Sequence, residues 1–375
     1  MRIGIDARFV GPEGTGLGKY TEELILNLAK IDKKNEYFIF LRKENWQFLK
    51  LSSKNFHKVL ANVPWYTFQE QVKLPFVFPK SKIDLLHVPH FNAPFLYNGR
   101  LVITVHDLIH HQFEQESATT RNFFVFKLKR IGYKLIITNA IKKAAKIITP
   151  SNFVKSQIVK TFRVDPSKIV VTYEAAEEEY FRNQKLFEPE PQRRRPEARG
   201  QKPFLIYVGN IYPHKNLNRL LDALAILKNV KLKIICPRDV FWKRLEKEIK
   251  NKDLENRVEL LGYQTADNLA VLFQKATAYV FPSLSEGFGI PGLNAMAANI
   301  PVVCSNIPTL REIYQDAALY FDPNDPKDIA VKINEVLTDK KTRTVLVEKG
   351  EKLVRKYSWQ KMAKQTLDVY KSALR

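Results

Sequence analysis

Short apolar runs alternate with segments of helical periodicity along most of the chain. In the first half, the patterns predict the strands RIGID, YFIFL, DLLHV, LVITV and KIITP and the helices GKYTEELILNLAKI and NFVKSQIVKTF. In the second half, they predict the strands FLIYVG, LKIIC, VELLG, AYVF and PVVC and the helices NLNRLLDALAIL, DNLAVLFQKA and PGLNAMAAN. Alternation of this kind favours parallel sheets that helices cover on both faces.

The length of the chain predicts two such domains. A chain of 375 residues is too long for one ordinary core, since a domain has about 150 residues. Residues 188–203, EPEPQRRRPEARGQKP, are rich in proline and charge and predict a linker. We therefore expect an α/β protein with Rossmann-like, doubly wound domains at residues 1–187 and 204–357, which face each other across a cleft. The pattern of residues 358–375 predicts an amphipathic helix with Ser358 as its N-cap.

Cysteine content and hydropathy exclude several protein classes. The two cysteines, Cys236 and Cys304, each end an apolar run and are expected to be buried. They are too few for a disulfide framework or a four-thiolate zinc site. The N-terminal sequence MRIGIDARFV favours a strand over a signal peptide, and no apolar run is long enough to span a bilayer. These features predict a cytoplasmic protein.

The net charge of +22 is not evenly spread along the chain. Residues 119–146 carry eight basic residues and no acidic one, with Phe123, Phe124, Phe126 and Tyr133 among them. A basic amphipathic segment suits the surface of an anionic membrane, so we predict peripheral membrane contact there. A solvated basic face over an ordinary core helix is the alternative. Nucleic acid is not expected as a partner, because zinc-finger spacing and an aromatic RNA-binding strand motif are both missing.

Two loops that follow predicted strands of the first domain are candidates for chemistry. Residues 11–20, GPEGTGLGKY, offer backbone amides and a helix start to a phosphate. Their spacing does not match the dinucleotide motif, because Lys19 occupies the last glycine position. The sequence TVHD exposes His106 and Asp107 at a strand end. The nearby His110 and His111 lack a further ligand set, so we predict no metal site.

Two loops of the second domain carry stronger signals. In YVGNIYPHKNL, Lys215 stands at the start of a predicted helix, where the macrodipole disfavours a cation unless an anion lies beside it. This indicates a phosphate ligand. In SEGFGIPG, Glu286 precedes a helix, and Gly287 and Gly289 leave backbone amides accessible. A carboxylate that accepts hydrogen bonds beside amides that donate them suits the hydroxyls of a sugar.

Together these motifs resemble those of family 4 retaining glycosyltransferases of the GT-B fold. The resemblance rests on GTGLGKYT, VHDL, YVGNIYPHKNLNRLLDAL, EGFGIPGLNAMA and IPVVCSN, and it extends from Met1 to the C-terminal helix. It implies that this last helix packs back towards the N-terminal domain. It also implies transfer of a sugar from a nucleoside diphosphate with retention of anomeric configuration, in which the leaving phosphate helps to deprotonate the acceptor.

The resemblance also assigns roles to residues. Gly16 would lie against the donor phosphates, His106 would contact the transferred sugar, and Lys215 would neutralise the diphosphate leaving group. Glu286 and the amides of Phe288 and Gly289 would hold the sugar hydroxyls, with Gly287 allowing the turn. The chain has no Asp-x-Asp pair. This agrees with transfer that uses Lys215 as the charge sink and needs neither a divalent metal nor another cofactor.

Three positions in the expected donor site carry their own predictions. The family's second glutamate, which binds the nucleotide ribose, is Asn294 here, and an arginine common in the family is Asn210. His214 is expected to compensate while it is protonated, so that phosphate binding weakens as the pH rises past about 6.5. Asparagine still pairs with hydroxyls, but without the strength of a charge-assisted hydrogen bond.

The sequence therefore predicts a retaining hexosyltransferase. The expected donor is GDP-mannose or a UDP-sugar, and the expected acceptor is a lipid-linked or surface polysaccharide. A nucleotide-sugar epimerase of the same fold would act on the donor alone and is the first alternative. A noncatalytic nucleotide-sugar-binding scaffold is the second, motivated by Asn210 and Asn294.

Overall fold

The computed structural model describes residues 1–112, 123–185, 203–238 and 240–375. In chain order the strands are β1 (Arg2–Asp6), β2 (Glu36–Leu41), β3 (Phe56–Leu60), β4 (Leu85–Val88), β5 (Leu101–Thr104), β6 (Lys146–Thr149), β7 (Ile169–Val171), β8 (Phe204–Val208), β9 (Lys231–Ile235), β10 (Val258–Leu261), β11 (Ala278–Phe281), β12 (Val302–Ser305) and β13 (Ala318–Phe321). The helices are α1 (Thr15–Ile31), α2 (Phe68–Val77), α3 (Ile109–Gln112), α4 (Phe123–Lys143), α5 (Asn152–Phe162), α6 (Glu178–Lys185), α7 (Leu217–Ile226), α8 (Val240–Asn251), α9 (Ala266–Lys275), α10 (Ile290–Ala297), α11 (Pro308–Tyr314), α12 (Pro326–Thr338), α13 (Lys340–Val354) and α14 (Trp359–Leu374).

The chain forms two compact units. The first contains Met1–Glu174 and Ser358–Arg375, and the second contains Ala175–Tyr357. The first domain was expected to run to residue 187, but α6 belongs to the second unit, where the buried ring of Tyr180 packs against Phe273 at 5.2 Å between centroids. Most of the expected linker, residues 188–202, lies outside the described residues.

Each unit contains one parallel sheet, and both sheets have the same kind of strand order. The first sheet has the order β3-β2-β1-β4-β5-β6-β7, and the second has the order β10-β9-β8-β11-β12-β13. The strand order reverses between β1 and β4 in the first sheet and between β8 and β11 in the second. In open α/β sheets, ligands bind beyond the carboxyl ends of the strands at such a switch point. The prediction of two doubly wound α/β domains is confirmed.

Helix α14 packs against α1 within the first unit. The predicted cap is present, since the Ser358 hydroxyl accepts a hydrogen bond from the amide of Lys361. Tyr370 of α14 is fully buried, and its hydroxyl lies 2.7 Å from Nδ1 of His87 on β4. The C-terminal residues thereby complete the core of the unit that contains the N-terminus.

The cysteines agree with the sequence analysis. Cys236 and Cys304 are both buried, as predicted, and neither forms a disulfide within the described ranges. Within the described ranges, no helix combines the length and the apolar character that crossing a membrane requires. The basic segment predicted at residues 119–146 contains the whole of α4, and its first four residues lie outside the described ranges.

Buried His87 makes the first unit sensitive to acid. Burial, together with the nearby charge of His106, lowers the pKa of His87 to about 3. The unfolded chain therefore binds a proton at His87 below about pH 6.5 that the folded chain does not bind. We expect this residue alone to cost about 1.4 kcal/mol of unfolding free energy for each pH unit below 6.5, until the pH reaches the folded-state value.

Urea unfolding from pH 7.5 to 5 measures this contribution. The His87→Asn variant is expected to show a shallower loss of stability on acidification than the native chain, whatever its stability at neutral pH. His57→Asn is the matched control, because His57 is exposed on β3. Equal slopes in the native chain and the His87→Asn variant would contradict the prediction.

Candidate active site

A cation and a carboxylate meet at the switch point of the second sheet. Lys215 follows β8 and Glu286 follows β11, so adjacent strands bring together residues that are 71 positions apart. Lys215 Nζ donates a hydrogen bond to Glu286 Oε1 at 2.6 Å, and the two side chains are only 16% and 10% exposed. The Lys215 ammonium also lies 5.7 Å from the centroid of the Phe281 ring. The two predicted residues therefore form one partly buried ion pair.

Asn216 fixes the loops that carry this pair. It lies in the left-handed region at φ 60°, between a short 3-10 turn that ends at Lys215 and the start of α7. Its side-chain amide donates to the carbonyl oxygens of Pro282 at 3.0 Å and Pro323 at 2.7 Å. The amide of Leu284 also donates to the carbonyl oxygen of His214. These bonds join the loop that carries Lys215 to the loop that carries Glu286. They therefore hold the backbones of the two residues close together.

The turn from Glu286 into α10 depends on Gly289. Its φ of +107° favours glycine, and an added Cβ would lie 2.5 Å from the hydroxyl oxygen of Tyr314. That hydroxyl donates to the carbonyl oxygen of Gly289 at 2.5 Å, and burial raises the pKa of Tyr314 well above its ordinary value, so the phenol remains a donor. Gly287 and the buried Phe288 complete the turn, and the Phe288 ring packs edge-on against Tyr357.

Asn294 holds a carboxylate that the sequence analysis did not consider. Its Oδ1 accepts from the amide of Glu177 at 3.0 Å, and its Nδ2 donates to Glu177 Oε1 at 2.8 Å. The asparagine is buried in α10, and Glu177 is half-buried in the segment before α6. The Glu177 carboxylate therefore lies beside position 294, where this chain has an asparagine and not the expected glutamate.

The other two predicted donor-site residues lie in the loop after β8. Asn210 follows Gly209, whose φ is +151°, and the Asn210 carbonyl accepts from the buried Tyr207 hydroxyl at 2.6 Å. The His214 ring lies 6.0 Å from the ring of Tyr212. Both side chains are half-buried at the carboxyl edge of the sheet. Their roles in phosphate binding remain predictions.

His106 lies at the carboxyl edge of the first sheet, after β5. Its Nε2 donates to the carbonyl oxygen of Pro89 at 3.1 Å, and its Nδ1 lies 3.1 Å from Glu174 Oε1. Tyr20 of α1 packs edge-on against the ring at 4.6 Å. The carbonyl oxygen of Pro89 can only accept, so this bond needs a proton on Nε2. The predicted contact between His106 and a sugar remains a prediction.

Gly16 lies in the first turn of α1. A Cβ added at Gly16 would meet no atom within 4 Å, whereas one added at Gly14 would lie 1.7 Å from the carbonyl oxygen of Phe9. Gly14 is therefore needed for packing, and Gly16 faces open space. That space suits the predicted approach of a phosphate, which remains a prediction.

The metal interpretation of the histidines gains no support in the described ranges. These ranges contain no group of three or more histidine, cysteine, aspartate or glutamate side chains able to hold a metal ion. His111 instead lies near the rings of Tyr133 and Phe162, at 6.4 and 5.6 Å between centroids.

The sequence analysis missed two carboxylates at these sites. Glu174 pairs with His106, and Glu177 pairs with Asn294. Both belong to EAAEEEY, a run of glutamates in a chain of net charge +22. That local concentration of glutamates was the available signal.

Two parallel sheets of Rossmann order, with an ion pair at the switch point of one, fit the GT-B class. Residues 14–179 match the family model described as Glycosyltransferase Family 4, and residues 189–353 match the one described as Glycosyl transferases group 1. The O-antigen chain mannosyltransferase RfbU of Salmonella typhimurium is 30% identical over 75% of this chain and 73% of its own length. The O-antigen chain mannosyltransferase B of Escherichia coli is 28% identical over 95% and 96%, respectively.

A solved structure agrees at the level of the fold. The sucrose-phosphate synthase of Thermosynechococcus elongatus superposes with a TM-score of 0.76 at 20% identity, over 99% of this chain and 98% of its own. The chain belongs to the family 4, group 1 glycosyltransferases. It is a glycosyltransferase of the GT-B fold, as the motifs predicted.

Proposed function

We propose that the second unit binds a nucleotide sugar at the switch point of its sheet and that the enzyme transfers the hexose with retention of configuration. The Lys215–Glu286 ion pair is the observation that carries this proposal. It supplies a cation for the diphosphate and a carboxylate for the sugar hydroxyls within one set of tied loops.

Donor binding rearranges this pair. Without a ligand, the Glu286 carboxylate is the anion that offsets the Lys215 charge. A diphosphate takes over that role, and Glu286 then accepts hydrogen bonds from the sugar. As the bond to the sugar breaks, negative charge grows on the phosphate beside Lys215, so the lysine stabilises the transition state more than the ground state. Under this proposal transfer needs no divalent metal.

Glu177 fills the role that a glutamate at position 294 would otherwise have. The Asn294 amide anchors both the backbone and the carboxylate of Glu177. A carboxylate accepts stronger hydrogen bonds from ribose hydroxyls than a neutral amide does. We place the ribose of the donor beside this pair, within the second unit.

The relatives support mannose as the sugar. Two of them, named as O-antigen chain mannosyltransferases, match most of this chain. We therefore propose GDP-mannose as the first donor to test, with UDP-sugars next, and a lipid-linked or surface polysaccharide as the acceptor.

Thermal unfolding with GDP, UDP, ADP and TDP tests the donor site. We expect one nucleotide to stabilise the protein by about 2.7 kcal/mol at a hundred times its dissociation constant, equally in magnesium and in EDTA. No shift with any nucleotide would overturn the donor site, and a shift that needs magnesium would overturn metal independence. The matching nucleotide sugar is then incubated without acceptor, and conversion to an epimer would favour the epimerase.

An exposed apolar face on the first unit supports peripheral membrane contact. Phe68, Val72 and Phe76 lie at every fourth position of α2, and the two phenylalanines are 83% and 70% exposed. The amide of Phe95 donates to Gln71 of α2, and Lys143 of α4 donates to the carbonyl oxygen of Phe95. Leu96, next to Phe95, and Ile131 and Leu135 of α4 are exposed as well. Such a face on a strongly basic chain fits an anionic lipid surface.

The double variant Phe68→Ser, Phe76→Ser tests this contact. We expect it to lower partitioning onto vesicles of phosphatidylcholine and phosphatidylglycerol at least tenfold, because two aromatic side chains no longer enter the interface. Ile226→Ser, which removes an exposed apolar residue of the second unit, is the control. Unchanged partitioning of the double variant would contradict the proposed face.

A further inference from the structure

The switch point of the first sheet is surrounded by aromatic rings. Phe9 follows β1 and His90 follows β4, the two strands between which the order reverses. Trp65 stacks on Phe9 with 4.7 Å between centroids and 11° between planes, and Tyr66 meets both Phe9 and His90 edge-on. Phe9 and His90 are buried, whereas the Tyr66 side chain is 59% exposed. The cluster therefore presents one large ring to solvent where α/β sheets bind ligands.

The backbone holds Tyr66 in a conformation that aromatic residues rarely adopt. Its φ is +57°, in the left-handed region. Its amide donates to Glu70 Oε2 at 2.9 Å, and Glu70 is itself fixed by Arg8 at 2.5 Å and by the side-chain amide of Asn92 at 2.5 Å. A buried network of polar groups thus dictates the direction of an exposed ring. Strain held in this way is typical of functional sites.

The same network orients His90. The amide of Asn92 donates to His90 Nδ1 at 3.2 Å, which leaves the proton of the neutral ring on Nε2. That nitrogen lies 3.3 Å from the Tyr66 hydroxyl. An aromatic face and a hydroxyl therefore lie together at the carboxyl edge of β4.

We propose that Tyr66 is the platform for a pyranose ring of the glycan acceptor, with Trp65 and Phe9 as its support. This inference rests on the proposed function, since it assigns an acceptor subsite to a glycosyltransferase. The C–H face of a hexose packs on an aromatic ring, and its hydroxyls pair with the polar groups at the rim.

Saturation-transfer NMR with methyl glycosides of mannose, glucose, galactose and N-acetylglucosamine tests the platform. We expect at least one glycoside to bind the native protein, and Tyr66→Ala to weaken that binding at least tenfold. Tyr66→Trp keeps a platform and is expected to stay within threefold of the native affinity. Tyr66→Asn is the second loss variant, because asparagine tolerates a positive φ and separates loss of the ring from loss of the turn.

Thermal stabilisation by the nucleoside diphosphate, measured on the same variants, keeps the two proposals distinguishable. It is expected to be unchanged, because the donor groups lie in the second unit. The platform is overturned if no glycoside binds the native protein, or if Tyr66→Ala and Tyr66→Asn bind as well as the native protein does. If the nucleoside diphosphate does not stabilise the native protein, the proposed donor site is overturned instead.

Discussion

Replacing Lys215 with methionine is expected to lower kcat for hexose transfer by about 100- to 1,000-fold. Losing one preorganised group that stabilises developing charge costs a factor of this size. Methionine keeps an apolar side chain beside Phe281 but removes the cation. The departing diphosphate then loses the charge that Lys215 supplies, while Glu286 remains partly buried without its partner. Initial rates with saturating nucleotide sugar, combined with nucleotide binding by thermal shift, measure the effect.

Lys233→Met is the matched control for this variant. Lys233 belongs to the same unit and is also ion-paired, with Glu259 at 2.9 Å, but it lies on β9, away from the switch point. Its replacement is expected to change kcat by less than about twofold, since pairs with an exposed partner contribute little. Transfer by Lys215→Met at near the native rate would show that the ion pair is structural. It would also remove the main support for the donor site.

The central strands of both sheets were predictable from sequence, and three edge strands were not. The predicted runs RIGID, LVITV and AYVF all fall on strands with neighbours on both sides, where continuous apolar residues are required. The missed strands β3, β7 and β13 all lie at sheet edges. β3 has one neighbour and tolerates the polar residues His57 and Lys58, so its pattern is weak, and β7 has only three residues. The edge strand β10 was nevertheless predicted from VELLG.

The candidate site was predictable where it depends on strand ends. Lys215 and Glu286 were each identified from a loop after an apolar strand, and the sheet brings them together because β8 and β11 are neighbours. The pairing of Glu177 with Asn294 joins residues 117 positions apart and depends on how α6 packs against α10. No local pattern encodes that packing. The same reason explains why the contact between Arg8 and Glu70, 62 positions apart, was not foreseen.

Replacing Arg8 with methionine is expected to destabilise the first unit by about 3 to 5 kcal/mol, the usual cost of breaking a buried ion pair from one side. Arg8 is fully buried and binds both oxygens of Asp6 at 2.8 Å, Glu70 at 2.5 Å and the carbonyl oxygen of Val63 at 2.9 Å. Burial alone lowers the pKa of the guanidinium, but the two carboxylates more than offset this and raise it. Methionine fills much of the volume, so the loss reports mainly the two carboxylates left without a cation.

Hydrogen exchange at neutral pH measures this loss separately in each unit. Peptides from β1, β4 and α14 are expected to lose protection in Arg8→Met, whereas peptides from β8 and β11 are expected to keep it, because the network belongs to the first unit. Lys371→Met is the control in the same unit. Its pair with Asp368 is exposed, and its removal is expected to cost less than about 0.5 kcal/mol.

Burial raises the pKa of Glu70 against the opposing effect of Arg8. Without the arginine this carboxylate takes up a proton at higher pH, so the destabilisation should shrink as the pH falls towards 5. A loss in Arg8→Met no larger than in Lys371→Met would mean that the two carboxylates are stabilised without the arginine, and the network would then not be what fixes Glu70 beneath Tyr66.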